Sequence, residues 1–189
     1  MSDFELWYAE RHNRMRWANG GGWTTEILAE PSGTRWEWRL SVADVEAAGP
    51  FSVFPGVDRT IALISGAGFA VTIDGHAEQV IDVPFQPFDF AGDSTTSCRL
   101  IDGPVQDINL MTSRSSVARR LGFVHVPPDT VIEISHIEVA VVVAGRLRIE
   151  QEDLGYLDAI RCASQSSPIE LRSGPDGVVI ATANARVHG

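Results

Sequence analysis

The sequence contains no lysine, so all 15 of its Lys and Arg residues are arginines, set against 25 Asp and Glu for a formal net charge of −10. A chain this acidic lacks the basic field that nucleic acid or an anionic membrane surface requires, which excludes both as partners. Cysteine is as scarce: Cys98 and Cys162 stand far apart with no Cys or His at ligand spacing, a pattern of reduced structural thiols. His12, His76, His125, His136 and His188 are scattered, and none is placed with further ligands so as to assemble a facial triad, so neither a metal nor a cofactor is expected. No Gly-x-Ser-x-Gly elbow supplies a nucleophile. The chain also lacks a run of about 18 apolar residues and a basic-then-apolar start, which makes a cytoplasmic location the expectation.

Long amphipathic helices are missing as well; the best helical candidate is the short stretch Ser115–Arg120. What the chain has in abundance is short segments of alternating or β-branched residues, separated by Gly, Pro, Asp and Ser turns. Strands are expected near Thr24–Ala29, Trp36–Val45, Arg59–Ile64, Phe69–Ile73, Glu78–Val83, Cys98–Asp102 and Val105–Met111. The pattern then begins again at Thr130–Ser135, Glu138–Val143, Arg146–Glu150, Ile169–Leu171 and Val178–Ala183. Asp74-Gly75 and Ala144-Gly145 carry hairpin-turn chemistry in the two halves. With 44% hydrophobic residues the chain can bury a large core. An all-β protein of two related units follows, 1–114 and 115–189, with function concentrated in the first.

Four motifs in the first half could carry chemistry. Trp17-Ala18-Asn19-Gly20-Gly21-Gly22-Trp23-Thr24 is either a structural turn or a loop bordering a ligand site; without a following Lys-Ser/Thr it is no phosphate loop. In Trp36–Val42, alternation sets Glu37, Arg39 and Ser41 on the face opposite Trp36, Trp38, Leu40 and Val42. That polar face is either solvated or the lumen of a barrel, where Arg39 would meet an anion. Gly49–Gly56 is a rigid segment holding Phe51 and Phe54 that delivers Arg59 to the next strand, with Asp58 beside it as a candidate surface partner. In Val105–Met111, Asp107, Asn109 and Met111 share one face, and their polar groups need partners, either one another or a ligand.

Together Trp17–Gly22, Trp38–Ala43, Gly49–Arg59 and Asp107–Met111 resemble the HutD/Ves family, in order and in spacing. The resemblance implies a bicupin, two jelly-roll-like β-barrels of the RmlC-like cupin type. It also implies a bacterial protein often encoded beside histidine-degradation enzymes, with a regulatory or sensing role toward an intermediate of that pathway. The sequence departs from metal-dependent cupins, since His76 is followed by Glu78 where their second histidine stands.

The expected activity is binding of a small carboxylate, with Arg59 as the principal cation and Arg39 as its helper. Asn19, Asn109, Asp107, Ser41, Thr24 and Met111 complete the expected ligand contacts, and Glu37 could instead neutralise Arg39. Two alternatives stay open: a metal-independent enzyme with Asp107 or Glu26 as general base, and a structural or partner-binding protein. A homodimer is left open as the assembly. Dialysed protein is expected to carry no stoichiometric zinc, iron or nickel and to keep its melting temperature in chelator. Near-equimolar metal by elemental analysis would overturn this.

Overall fold

The computed structural model describes residues 4–33, 35–163 and 167–185. Dense β-branched and aromatic content makes almost all of its regular structure extended; apart from one 3-10 turn at Ala9–Arg11, no helix occurs among the described residues. The strands of the first half are β1 (Phe4–Trp7), β2 (Asn13–Arg16), β3 (Gly22–Glu30), β4 (Trp38–Val45), β5 (Gly49–Pro50), β6 (Val57–Ser65), β7 (Phe69–Ile73), β8 (Gln79–Ile81), β9 (Phe88–Ala91), β10 (Thr96–Leu100) and β11 (Val105–Ser113). Those that follow are β12 (Arg119–Val126), β13 (Val131–Ile134), β14 (Val139–Ile149), β15 (Glu152–Leu154), β16 (Ala159–Cys162) and β17 (Ile169–Ala185).

The chain divides into a central unit, Asn13–Ala118, and a flanking unit made of Met1–His12 with Arg119–Gly189. This differs from a division at Arg114, because β1 pairs antiparallel with β16, Leu6 opposite Ile160, and so belongs with the second half. The central unit holds a six-stranded sheet in the order β2-β3-β4-β11-β6-β9 and a four-stranded sheet in the order β5-β10-β7-β8. The flanking unit holds a seven-stranded sheet with β1-β16-β14-β17-β12 as its path. These sheets are open: no closed barrel is formed among the described residues.

The helix expected over Ser115–Arg120 is absent. The Ser116 hydroxyl donates to the carbonyl oxygen of Ser113 at 2.9 Å, Arg114 and Ser115 form a turn, and Arg119 already lies in β12 opposite Ala185. Serines that bond the local backbone favour such turns over helix. Asp74-Gly75 does form the expected turn, both residues in the left-handed region and the His76 amide donating to Ile73 at 2.9 Å. Ala144-Gly145 does not. The two strands expected on either side of it are the single strand β14, and register shifts against β17 on both sides mark a bulge. Gly145 (φ +80°) presses so close to Gly177 that a Cβ would overlap the Gly177 carbonyl oxygen.

Each unit has its own core. In the flanking unit Val142, Leu147, Ile149, Leu154, Ile160, Leu171 and Ile180 pack together. In the central unit Ala43, Val45, Ile61, Leu63 and Val105 of the six-stranded sheet meet Phe69, Val71, Ile81 and Cys98 of the four-stranded sheet. The opposite face of the same central strands is also buried, through Trp38, Leu40, Val42, Ala62, Ile108 and Leu110. A one-residue slip would carry Arg59, Asp107 and Asn109 to this apolar face, so the register, and with it what each side chain faces, is strongly specified.

Gly145→Ala is expected to cost roughly 1–3 kcal/mol, several degrees in Tm, from the positive φ and the backbone overlap together. Gly75→Asn, in a turn open to solvent, should cost under about 1 kcal/mol. Thermal denaturation of the two variants checks the difference.

Candidate functional site

A cavity of about 450 Å³ lies within the central unit. Its floor comes from three adjacent strands. Because β11 pairs with β4 on one side and β6 on the other, Met111 stands opposite both Arg39 and Arg59, Asn109 opposite Ser41 and Ile61, and Asp107 opposite Ala43 and Leu63. Alternation turns these rows to the face that also carries Val45, Ile61 and Leu63. One face of the sheet is therefore apolar at one end, where the core forms, and polar at the other, where the cavity opens. Trp17, Ala18 and Asn19 form one wall with Thr24, and Pro50, Phe51, Ser52 and Phe54 form another.

The glycine run both turns the chain and borders the cavity. Trp17 donates to the Gly22 carbonyl at 3.0 Å, closing the loop, and the Gly21 amide donates to Asn19 Oδ1 at 3.0 Å. Gly22 runs so close to β4 that a Cβ would overlap the Asp44 carbonyl oxygen, so no larger residue fits. The Trp17 indole donates to Thr24 Oγ1 at 2.8 Å, which holds that wall in place.

Arg59 is 7% exposed, yet its guanidinium has no carboxylate within salt-bridge distance among the described residues. Three rings surround it instead: Phe90 with its centroid at 4.8 Å, Phe51 at 5.3 Å and Phe54 at 5.6 Å. Phe90 is its cross-strand neighbour on β9, while the Phe51 and Phe54 amides donate to the carbonyl oxygens of Thr96 (2.9 Å) and Gly92 (2.7 Å), which holds those two residues in place. The aromatic faces supply attraction that survives burial. Arg59 Nη1 reaches the Ser52 carbonyl only at 3.4 Å, and its Nε has no partner. Burial lowers the Arg59 pKa to about 10; Asp107 acts against that fall and Arg39 adds to it, so the side chain is still a cation at neutral pH.

Arg39 is paired with Glu26, not with Glu37, the neighbour that could have neutralised it. Its Nε lies 2.8 Å from Glu26 Oε2, without hydrogen-bond alignment, because Glu26 faces Ser41 across β3 and β4 and so shares the cavity face. Asp58 likewise turns away from Arg59: it accepts from Arg114 Nε at 2.7 Å, and Arg114 also grips Asp93 at 2.6 Å. Asp58 and Arg59 are sequence neighbours on a strand and must point to opposite faces.

Asp107 is 2% exposed. Burial pushes its carboxyl up to about 7, against the pull of Arg59 and with the help of Asp44. Asn109 Oδ1 is buried without a partner. All eight residues expected to contact a ligand, Arg59, Arg39, Asn19, Asn109, Asp107, Ser41, Thr24 and Met111, thus line one cavity. Phe90 and the pairing of Glu26 with Arg39 were not legible beforehand. Phe90 stands in no motif, and the Glu26–Arg39 match depends on a bulge in β3 between Glu26 and Leu28. Among the described residues no group of three or more His, Cys, Asp or Glu could hold a metal ion, and no helix is long and apolar enough to cross a membrane.

The fold is that of an antiparallel β-protein of two units with cupin-like structural neighbours. Solved structures at 10–12% identity and TM-scores of 0.62–0.68, among them a bacterial pirin and a quercetin dioxygenase, share that fold alone. The HutD family model matches residues 9–180, and the chain belongs to the HutD family. It is 36% identical over 173 residues to an uncharacterised 21.2 kDa protein of the hutC 3′ region of Pseudomonas putida, covering 85% of this chain and 87% of that protein. It is 40% identical over 108 residues to protein Ves of Citrobacter koseri, 52% of each chain. The solved structure of HutD from Pseudomonas fluorescens SBW25 matches with a TM-score of 0.76 and 34% identity, over 97% of this chain and 100% of that one.

Asp107→Asn provides a check on the buried carboxyl. Its folded pKa of about 7 lies above the ordinary value near 4, so the fold holds a proton that the unfolded chain has released, and stability falls as pH rises between those values. Asparagine removes that loss. The variant is expected to gain on the wild type by about 2 kcal/mol between pH 5 and pH 8, measured by urea denaturation at both. An unchanged difference would show that Asp107 ionises freely.

Proposed function

We propose that the protein binds a small carboxylate in the cavity of the central unit and acts as a sensor or regulator in histidine degradation. The observation that carries this reading is Arg59: a buried cation caged by three aromatic rings, with an unpartnered Nε and no ion pair among the described residues. A guanidinium held dry and unpaired is costly, and a carboxylate that forks onto it relieves the cost. Family membership and the hutC-region relative support the pathway, which makes urocanate, formiminoglutamate and formylglutamate the first ligands to try. In this reading Arg39, Ser41, Thr24, Asn19 and Asn109 orient the ligand, and Met111 packs under it. The two units are the two jelly-roll modules of a bicupin, the second serving as support.

One observation favours a second reading. A carboxyl poised near neutrality beside a cation in a cavity is also what a general base requires, so Asp107 could serve a metal-independent enzyme on the same class of carboxylate. Turnover of a bound ligand separates the two readings.

Arg59→Ala is expected to weaken carboxylate binding by roughly thirtyfold or more, the loss of one buried charge-assisted contact worth about 2 to 5 kcal/mol. Calorimetric titration of wild type, Arg59→Ala and Asp153→Asn, the last as a control on the flanking unit, measures it. Unchanged affinity in a folded Arg59→Ala variant would mean that this arginine only ties the sheet together.

A further inference from the structure

Asp107 and Arg59 stand at opposite ends of one row of inward-facing residues. Along β11 the sequence on that face is Asp107, Asn109, Met111, with about 7 Å between successive members from the rise of a strand. Arg59 pairs with Met111 at one end, and Asp107 sits at the other among Ala43, Leu63 and Val105 of the core. Both side chains nevertheless line the same cavity, and each bears on the other's charge. The cavity therefore presents a cation, Arg59, at one end of this row and two acceptors, the Asp107 carboxyl and the unpartnered Asn109 Oδ1, toward the other.

The charges facing Asp107 are few. Arg59 of β6 and Arg39 of β4 line the cavity with it, and Arg39 is already held by Glu26 of β3. Asp44 on β4 is engaged by Arg14 at 2.8 Å and by Gln106 at 2.6 Å, and it adds negative charge. On β10 the Cys98 thiol is kept neutral, its pKa pushed up to about 12 by burial and by Asp107. An ionised Asp107 thus leans on Arg59. A ligand carboxylate drawn to Arg59 would compete for the same cation, leaving two anions around one free guanidinium between side chains that are both buried, which favours neutralising one of them.

We propose that Asp107 makes the cavity demand a hydrogen at its end of the row: a small carboxylate held at Arg59 is accommodated only with a proton taken up on Asp107, or with an N–H or O–H of its own directed there. This rests on the carboxylate reading of the site and narrows it. The proton comes from solvent and returns to it on release. Simple carboxylates then bind with proton uptake, whereas carboxylates carrying a hydrogen-bond donor at the far end bind without it, and the site selects the second kind at neutral and higher pH.

The test uses two probes of equal length, 3-(furan-2-yl)acrylate and 3-(pyrrol-2-yl)acrylate. Both carboxylates are ionised from pH 6 to 9, and the rings differ in an oxygen against an N–H. In titration calorimetry of the full chain, furylacrylate affinity is expected to fall by up to about tenfold per pH unit above pH 7, with heats in two buffers reporting uptake of up to one proton. Pyrrolylacrylate should bind about tenfold or more tightly at pH 8, with a flatter profile. Asp107→Asn should flatten the furylacrylate profile; should that variant not fold, the wild-type comparison of the two probes decides alone. Equal affinities and flat profiles for both probes in wild type would overturn the role of Asp107 and leave the carboxylate site standing. If neither probe nor any pathway carboxylate binds at millimolar concentration, both readings fall.

Discussion

The central unit is organised around one buried guanidinium, that of Arg59, which has no ion-pair partner among the described residues. Arg59 could have been placed beside Asp58, its neighbour in sequence, but strand alternation sends Asp58 outward to Arg114 and Arg59 inward. The cost of that burial is offset by three aromatic faces, and those rings in turn dictate the surrounding chain: Phe90 must sit across the ladder on β9, and the Pro-Gly segment must be rigid enough to present Phe51 and Phe54. The cavity is the space that this arrangement leaves between the charge and the core.

The polarity gradient along β4, β11 and β6 links folding to function. The same face that supplies Val45, Leu63 and Val105 to the core supplies Arg39, Asn109 and Arg59 to the cavity. A central sheet covered on both faces has little freedom to shift, so the polar groups are held by the hydrophobic burial of their neighbours a few residues away. Preorganisation of this kind lowers the entropic cost of ligand binding, because few side chains remain to be ordered.

Much of the site was legible in the sequence because strands obey a period of two. Knowing that Trp38, Leu40 and Val42 are apolar was enough to turn Arg39 and Ser41 to the other face, and the same rule aligned Asp107, Asn109 and Met111. The four motifs of the first half were also specific enough to point to the family that the comparisons then established. Features that break periodicity were not legible. The residues around Gly145 scan as two strands and a turn, yet form one bulged strand, because only the partner strand at Gly177 makes the close approach that the glycine serves. Ser115–Arg120 scans as helix from local composition, yet its ends are claimed by the Ser113 turn and by β17.

By itself, then, the sequence determined the all-β class, the shared face of Arg39 and Ser41 and of Asp107, Asn109 and Met111, and the family, since all of these depend on composition, alternation and motif order. Tertiary structure alone decided which inward-facing residues meet. That β1 joins the second half, that Glu26 rather than Glu37 answers Arg39, that Phe90 completes the cage of Arg59 and that Asp107 shares its electrostatic field all follow from pairings between segments distant in the chain. Such pairings are chosen by the burial of whole sheets, a quantity that no local stretch of sequence carries.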